Sequence, residues 1–196
     1  LLTGTEDTPT VITLADLVAG FTDADGDVLA VTGLTSSAGV LVDNLDGTWS
    51  LTTDANFNGD LSLSYTVVDG NGGSIAASNT LSIAAVNDAA IIAGQATGSV
   101  TEDATLQASG TLSVSDVDAG EAAFVAGTLA GSYGSATLTA TGDWTYTLNN
   151  AAAAVQALAG GASVQDSLTV TTLDGTTATL AITINGADEP VVAGVT

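Results

Sequence analysis

Apolar and polar positions alternate along much of the chain. Thr48-Trp-Ser-Leu-Thr52 and Leu61-Ser-Leu-Ser-Tyr-Thr-Val-Val68 place every second side chain on an apolar face, the period of a half-buried strand. Val11-Ile-Thr-Leu14 and Leu29-Ala-Val-Thr32 are shorter runs of the same kind, and Asp46-Gly47 and Asp69-Gly70-Asn71-Gly72-Gly73 punctuate them as turns. The second half repeats the grammar in Thr111-Leu-Ser-Val114, Ala136-Thr-Leu-Thr139, Trp144-Thr-Tyr-Thr-Leu148, Ser167-Leu-Thr-Val-Thr171 and Thr179-Leu-Ala-Ile-Thr-Ile184. Short strands at this spacing predict an all-β chain built as sandwiches.

The halves align on landmarks. Thr5-Glu6-Asp7 returns as Thr101-Glu102-Asp103 at an offset of 96, and Trp49 as Trp144 at 95. Asp23 returns as Asp116 at 93, and Asp69-Gly70 as Asp174-Gly175 at 105. The jump from 95 to 105 marks an insertion of about ten residues after Trp144. Asn149-Asn150, the run Ala151-Ala-Ala-Ala-Val-Gln-Ala-Leu158 and the closing Gly160-Gly161 predict a short helix there, with an Asn cap. The expected architecture is two tandem immunoglobulin-like β-sandwiches, residues 1–88 and 89–196, the second carrying the inserted helix. The linker falls near Val86-Asn87-Asp88-Ala89.

Composition then narrows the chemistry. The 196 residues include 22 acids and no Lys, Arg or His, for a net charge of −22. A hydrophobic content of 45% argues for buried cores rather than the disorder such a charge suggests. With no cationic side chain, the chain cannot neutralise a nucleic-acid backbone or dock on anionic lipid, so neither nucleic acid nor direct membrane contact is expected. Without His, Cys or Lys it cannot assemble the usual triads or Schiff bases, and no enzyme activity is expected. No apolar run reaches the length of a membrane span. The start at Leu1, with no signal sequence, reads as an excised segment of a longer protein.

The acids are clustered. Asp23, Asp25 and Asp27 fall within five residues, and Asp116, Asp118 and Glu121 within six. Carboxylates held together on a loop repel one another unless a cation sits among them, and no side chain here supplies one. Hard oxygen donors favour Ca²⁺, which takes 6–8 oxygens, over Mg²⁺. Asp23-Ala-Asp25-Gly-Asp27 imitates the start of an EF-hand, but the twelfth position is Leu34 and no helix pair flanks it. A nonapeptide calcium repeat is excluded too, because the Asp69–Gly73 loop does not recur in tandem. A shared pole of the sandwich fits better. The expected set in the second repeat is Glu102, Asp103, Asp116, Asp118 and Asp174, joined by Asn87 and Asp88 of the linker. The first repeat offers Glu6, Asp7, Asp23, Asp25, Asp27 and Asp69, and Asp188-Glu189 would lead toward a further domain.

Thr5-Glu-Asp-Thr8, Phe21-Thr-Asp-Ala-Asp-Gly-Asp27, Asn56-Phe-Asn-Gly59, Val68-Asp-Gly70 and Val86-Asn-Asp-Ala89 resemble the cadherin-like repeats of giant bacterial surface adhesins. Gly110-Thr-Leu-Ser-Val-Ser-Asp-Val-Asp118, Trp144-Thr-Tyr-Thr-Leu148, Val155-Gln-Ala-Leu158 and Ile184-Asn-Gly-Ala-Asp188 resemble the VCBS-type repeats of the same adhesins. Ala187-Asp188-Glu189 stands where those repeats usually carry Asn-Asp-Ala. The resemblance implies tandem extender modules of a secreted repeats-in-toxin adhesin on a bacterial cell surface. Their partners would be neighbouring repeats of the same chain, with Ca²⁺ at the junctions and a glycan or other surface ligand bound elsewhere in the full-length protein. The alternative reading is a module that itself binds a glycan or cell-surface partner. Trp49, Trp144, Tyr65 and Tyr146 fall in strands and read as core, which leaves Tyr133, in the turn Gly131-Ser-Tyr-Gly134, as the aromatic to watch. A sugar hydrolase with paired carboxylates is disfavoured, because both acidic clusters fall in equivalent loops.

Overall fold

The computed structural model describes residues 1–188. It divides into unit 1, Leu1–Val86, and unit 2, Asn87–Thr196; the boundary expected after residue 88 lies two residues further on.

Unit 1 contains β1 (Leu2–Thr5), β2 (Thr10–Thr13), α1 (Leu14–Leu17), β3 (Ala30–Ser36), β4 (Val40–Asp43), β5 (Thr48–Thr52), β6 (Gly59–Val68) and β7 (Ser74–Ala84). One sheet has the order β1-β7-β6-β3 and the other β2-β5-β4. β1 runs parallel to β7, and the other pairings are antiparallel. Their inner faces meet in one core, with Ile12, Trp49 and Leu51 from the second sheet against Leu61, Leu63, Tyr65, Val67, Leu81 and Ile83 from the first. The run expected to be a strand through Leu14 stops at Thr13. Thr13 caps a helical turn instead: its Oγ1 accepts from Asp16 N at 3.2 Å, and Asp16 Oδ2 accepts from Thr13 N at 3.0 Å. That reciprocal cap outweighs the strand preference of the run.

Unit 2 contains β8 (Ile91–Gly94), β9 (Thr97–Thr101), β10 (Gln107–Ser115), β11 (Gly127–Ala130), β12 (Gly134–Leu138), β13 (Asp143–Leu148), α2 (Ala153–Gln156), β14 (Ser163–Thr171) and β15 (Thr177–Asn185). The sheets are β11-β12-β13-β10-β8 and β14-β15-β9, with β9 parallel to β15. Leu112, Trp144 and Tyr146 of one sheet meet Leu168, Leu180 and Ile182 of the other, and Val155 of α2 closes the same core. The inserted helix is present but shorter than the sequence predicts, and its cap differs. Ala152 occupies the N-cap without a side-chain bond, while Asn150 is drawn away to Asp103.

In each unit the parallel pairing fixes which loops share an end. Glu6 follows β1 and its N–H donates to Ala84 O, at the C-terminal end of β7. Asp69 lies in the turn that starts β7. Eleven residues of β7, at about 3.3 Å each, separate the two by about 30 Å. The same holds in unit 2, where Glu102 lies beside Asn185 at the end of β15 and Asp174 precedes its start.

Candidate metal centres at the poles of the units

The acids expected to share one pole therefore occupy two in each unit. At the N-terminal pole of unit 1, Asp23 Oδ1 accepts from the N–H groups of Asp25 (2.9 Å) and Asp27 (3.1 Å). Those two bonds, Asp27 first, hold the Asp23 carboxyl below the usual range. Asp27 Oδ2 accepts from Asn71 Nδ2 at 2.7 Å, and Asp69 Oδ1 accepts from Asn71 N and Gly73 N at 2.7 and 2.9 Å. Asp25 is exposed. This loop answers most of its charge with its own amides.

Glu6 and Asp7 belong to the opposite pole. Glu6 is 1% exposed, and its carboxylate accepts from Val86 N at 2.6 Å and from Asn58 Nδ2 at 3.1 Å. Asp7 takes a positive φ of 58° and accepts from Asn56 N. Glu102 and Asp103 repeat this in unit 2, and are not beside Asp116, Asp118 and Asp174 as expected. Glu102 Oε1 accepts from Ala187 N at 2.9 Å, and Asp103, at φ 53°, is bonded to Asn150. Glu102 is fully buried, yet its Oε2 has no partner among the described residues. Exposed Asp188 stands at this C-terminal pole against Gly160, and Glu189 lies outside the described residues.

The N-terminal pole of unit 2 brings Asp116, Asp118, Glu121 and Asp174 together. Asp118 N donates to Asp116 Oδ1 at 2.9 Å, Asp88 N to Asp118 Oδ2 at 2.8 Å, and Ala90 N to Asp174 Oδ2 at 2.9 Å. Asn87 is exposed and donates only to Asp88 O. Ala90 N, then the hydroxyls of Thr172 and Thr176, drive the Asp174 carboxyl far below its ordinary value. Glu121 goes the other way: burial, then Asp118, Asp116 and Asp174, raise it. Asp116 Oδ2 and Glu121 Oε2 are buried with no hydrogen-bond partner among the described residues. A buried carboxylate oxygen without a donor is costly, and here several lie together with no side-chain cation in the chain. The donor set is all oxygen and mostly anionic, which fits a Ca²⁺ ion.

Glu121 sits in the acidic run read from the sequence but outside the ligand set chosen there; its spacing three residues beyond Asp118 was the available signal. Asn58, which satisfies Glu6, falls in the Asn56-Phe-Asn-Gly59 motif, whereas Asn71 and Asn150 carry no sequence signature that marks them as partners of the acids.

Residues 1–84 match the family described as a cadherin-like domain, and residues 87–186 the family described as a bacterial cadherin-like domain. No curated protein matches the chain. Among solved structures, Drosophila N-cadherin EC1-4 aligns at 15% identity over 84% of this chain and 42% of its own, with a TM-score of 0.55. An endo-fucoidan hydrolase of glycoside hydrolase family 107 aligns at 21% identity over 97% of this chain and 28% of its own, with a TM-score of 0.34. Human mucin-like protocadherin EC1-2 aligns at 15% identity over 96% and 95%, with a TM-score of 0.46. The chain thus spans less than half the length of the first two. The N-cadherin likeness bears on the fold alone, and the other two are too distant to carry an argument.

Proposed function

The chain belongs to the bacterial cadherin-like domain family, and from that premise we propose that it is a calcium-binding, non-enzymatic extender segment of a secreted bacterial surface adhesin of the repeats-in-toxin type. On this reading unit 2 is a VCBS-type repeat, and the partners of both units are neighbouring repeats of the same chain. The reading rests chiefly on the buried, unpartnered oxygens of Asp116 and Glu121 beside Asp118 and Asp174. Asp88, Asp116, Asp118, Glu121 and Asp174 would hold the ion. It would supply the positive charge that the sequence lacks.

The mechanical consequence follows from where Asp88 lies. The segment 87–90 leads into unit 2, and its Asp88 and Ala90 N–H groups are already tied to Asp118 and Asp174. With the ion bound, the carboxylates attract a common centre and the segment is held down. Without it, they repel over the 8–10 Å that salt leaves unscreened, and the segment loosens. Sites of 10⁻⁴–10⁻³ M affinity would switch at extracellular calcium. Such a chain would leave a calcium-poor cytoplasm flexible and stiffen outside. The test pairs calorimetric titration of Ca²⁺ with small-angle scattering in Ca²⁺ and in chelator. Calcium should bind and narrow the spread of dimensions. Binding with an unchanged spread would overturn the spacer mechanism, and no binding would overturn the metal site.

A further inference from the structure

Unit 2 buries one acid that calcium does not explain. Asp166, on β14, is 1% exposed, and its carboxylate accepts from Ser132 N at 2.8 Å, Tyr133 N at 3.0 Å and the Tyr146 hydroxyl at 2.8 Å. Two of the donors belong to the turn between β11 and β12, and the third, on β13, fixes the carboxylate that holds it. The turn closes on the carboxylate so tightly that a Cβ on Gly131 would come within 2.2 Å of Asp166 Oδ2. The fold does not require this device. At the offsets of 95 and 105, Tyr133, Tyr146 and Asp166 correspond to Ala38, Leu51 and Leu61 of unit 1. There the equivalent turn is closed by Ser37 N donating to Ser62 O and Ser62 N donating to Ser37 Oγ. Two apolar core positions have become a buried, hydrogen-bonded pair in unit 2, Tyr146 and Asp166, at the cost of burying a charge.

What the set holds in place is Tyr133. Its ring is half-buried, and its hydroxyl has no partner among the described residues. It lines an open groove of about 340 Å³ with Ser132, Ser135, Thr147 and Asn149. Although the chain has 22 acids, no carboxylate among the described residues lines this groove. An anionic ligand would meet the repulsion of the whole chain, and a cationic one would find better sites at the poles. A pre-positioned aromatic face ringed by hydroxyls and one amide suits a neutral, polyhydroxylated molecule, and the volume suits about one sugar ring.

We propose that the β11–β12 turn of unit 2 is a binding loop for a neutral carbohydrate, with Tyr133 as its stacking platform and Asp166 as the residue that positions it. The proposal is independent of the calcium reading.

The test is an array of neutral glucose-, galactose-, mannose-, fucose- and N-acetylglucosamine-type oligosaccharides printed beside sulfated and sialylated ones, probed with the full chain. A neutral class should bind. Tyr133→Ala should weaken it by at least about tenfold with an unchanged melting temperature, and Tyr133→Phe should keep it within about threefold. Asp166→Asn, which retains one acceptor oxygen, should keep saturation transfer from the sugar to the Tyr133 ring, and Asp166→Leu should lose it. If Asp166→Leu fails to fold, the Tyr133 pair decides. Binding of no neutral glycan, binding of anionic glycans alone, or full binding by Tyr133→Ala overturns the proposal.

Discussion

Two sandwiches built on one plan use their acids differently. Unit 1 keeps Asp23, Asp27 and Asp69 on loops whose own N–H groups and Asn71 satisfy them. At its other end, Glu6 is matched on both oxygens, by Val86 and Asn58. Unit 2 leaves Asp116, Glu121 and Glu102 each with a buried oxygen that has no partner among the described residues, and spends a fourth acid, Asp166, inside its core. Strand propensity and core packing are alike in the two. The difference teaches that the fold tolerates either arrangement, so what unit 2 does with its acids is a matter of ligand and loop rather than of folding. Breaking that contrast is the way to test it.

The largest effect should come from the core acid. Asp166→Ala removes the acceptor from two backbone N–H groups and the Tyr146 hydroxyl, each costing about 1–3 kcal/mol if left buried, so unit 2 should lose roughly 3–9 kcal/mol. Leu61→Ala, its counterpart, should cost unit 1 about 2–5 kcal/mol by a different route, a cavity. Importing unit 1's core pair by Tyr146→Leu and Asp166→Leu together should cost less than the sum of the two singles, by about 0.5–3 kcal/mol. Chemical denaturation with hydrogen exchange to locate the loss checks this. Strict additivity would show that Tyr146 and Asp166 are not one device.

Calcium removal comes next. At about 100 times its dissociation constant, Ca²⁺ adds roughly 2.7 kcal/mol per site, and chelation should return that. The exchange protection lost should be greater in unit 2, whose carboxylates lack internal donors, than around Asp23 and Asp69. Glu121→Gln sharpens the point. In chelator it should stabilise unit 2, because a raised, repelled carboxylate is neutralised, and in Ca²⁺ it should weaken binding. Equal losses in both units, or a melting temperature indifferent to chelator, would remove the distinction.

The strands and the cores of both units were legible because period-two patterning survives wherever one face is buried: Trp49, Tyr65, Trp144 and Tyr146 all fall inside as their alternation requires. The placement of acids was legible only in part. Asp116, Asp118 and Asp174 do converge, since consecutive antiparallel strands bring their loops to one end. Within unit 1 Glu6 does not join Asp23 and Asp69, and within unit 2 Glu102 does not join Asp116 and Asp174, because β1 and β9 pair in parallel with the last strand of their units and so carry the following acid to the far end. Parallel pairing of a first with a last strand leaves no local signal, and Asp166 reads as an ordinary polar residue on an alternating strand until its neighbours are known.

A smaller effect separates ligands from turn residues. Asp118→Ala should weaken Ca²⁺ binding by about tenfold or more, as one carboxylate of the cluster is lost. Asp143→Ala should leave it unchanged, because Asp143 spends its oxygens on Thr111 across the β10–β13 pair and on Thr141 in the turn before β13. Asp23→Ala offers the unit 1 counterpart and should leave the affinity at Asp118 unaltered. Calorimetric titration resolves all three, and equal loss in Asp118→Ala and Asp143→Ala would refute the assignment.

The smallest contrast lies in the paired indoles. Trp144 is 1% exposed and its Nε1–H donates to Gln95 O at 2.8 Å, whereas Trp49 is 9% exposed and its Nε1–H has no acceptor among the described residues. Gln95 lies in the bend where the chain leaves β8, in one sheet, for β9, in the other. Its own N–H is bonded to Thr111 O at 2.9 Å, so Trp144 supplies the second fastening of that crossover. Trp→Phe removes similar ring volume from each core, and the transfer and cavity costs should largely cancel in the comparison. What remains is the bond to Gln95, so Trp144→Phe should cost about 1 kcal/mol more than Trp49→Phe. The single-Trp proteins give an independent reading: with Trp49 replaced, emission from the sheltered Trp144 should lie to the blue of emission from Trp49 when Trp144 is replaced. Equal destabilisation by the two changes would mean that the crossover is held by Thr111 and sheet pairing alone, and that the indole bond contributes nothing to the difference between the units.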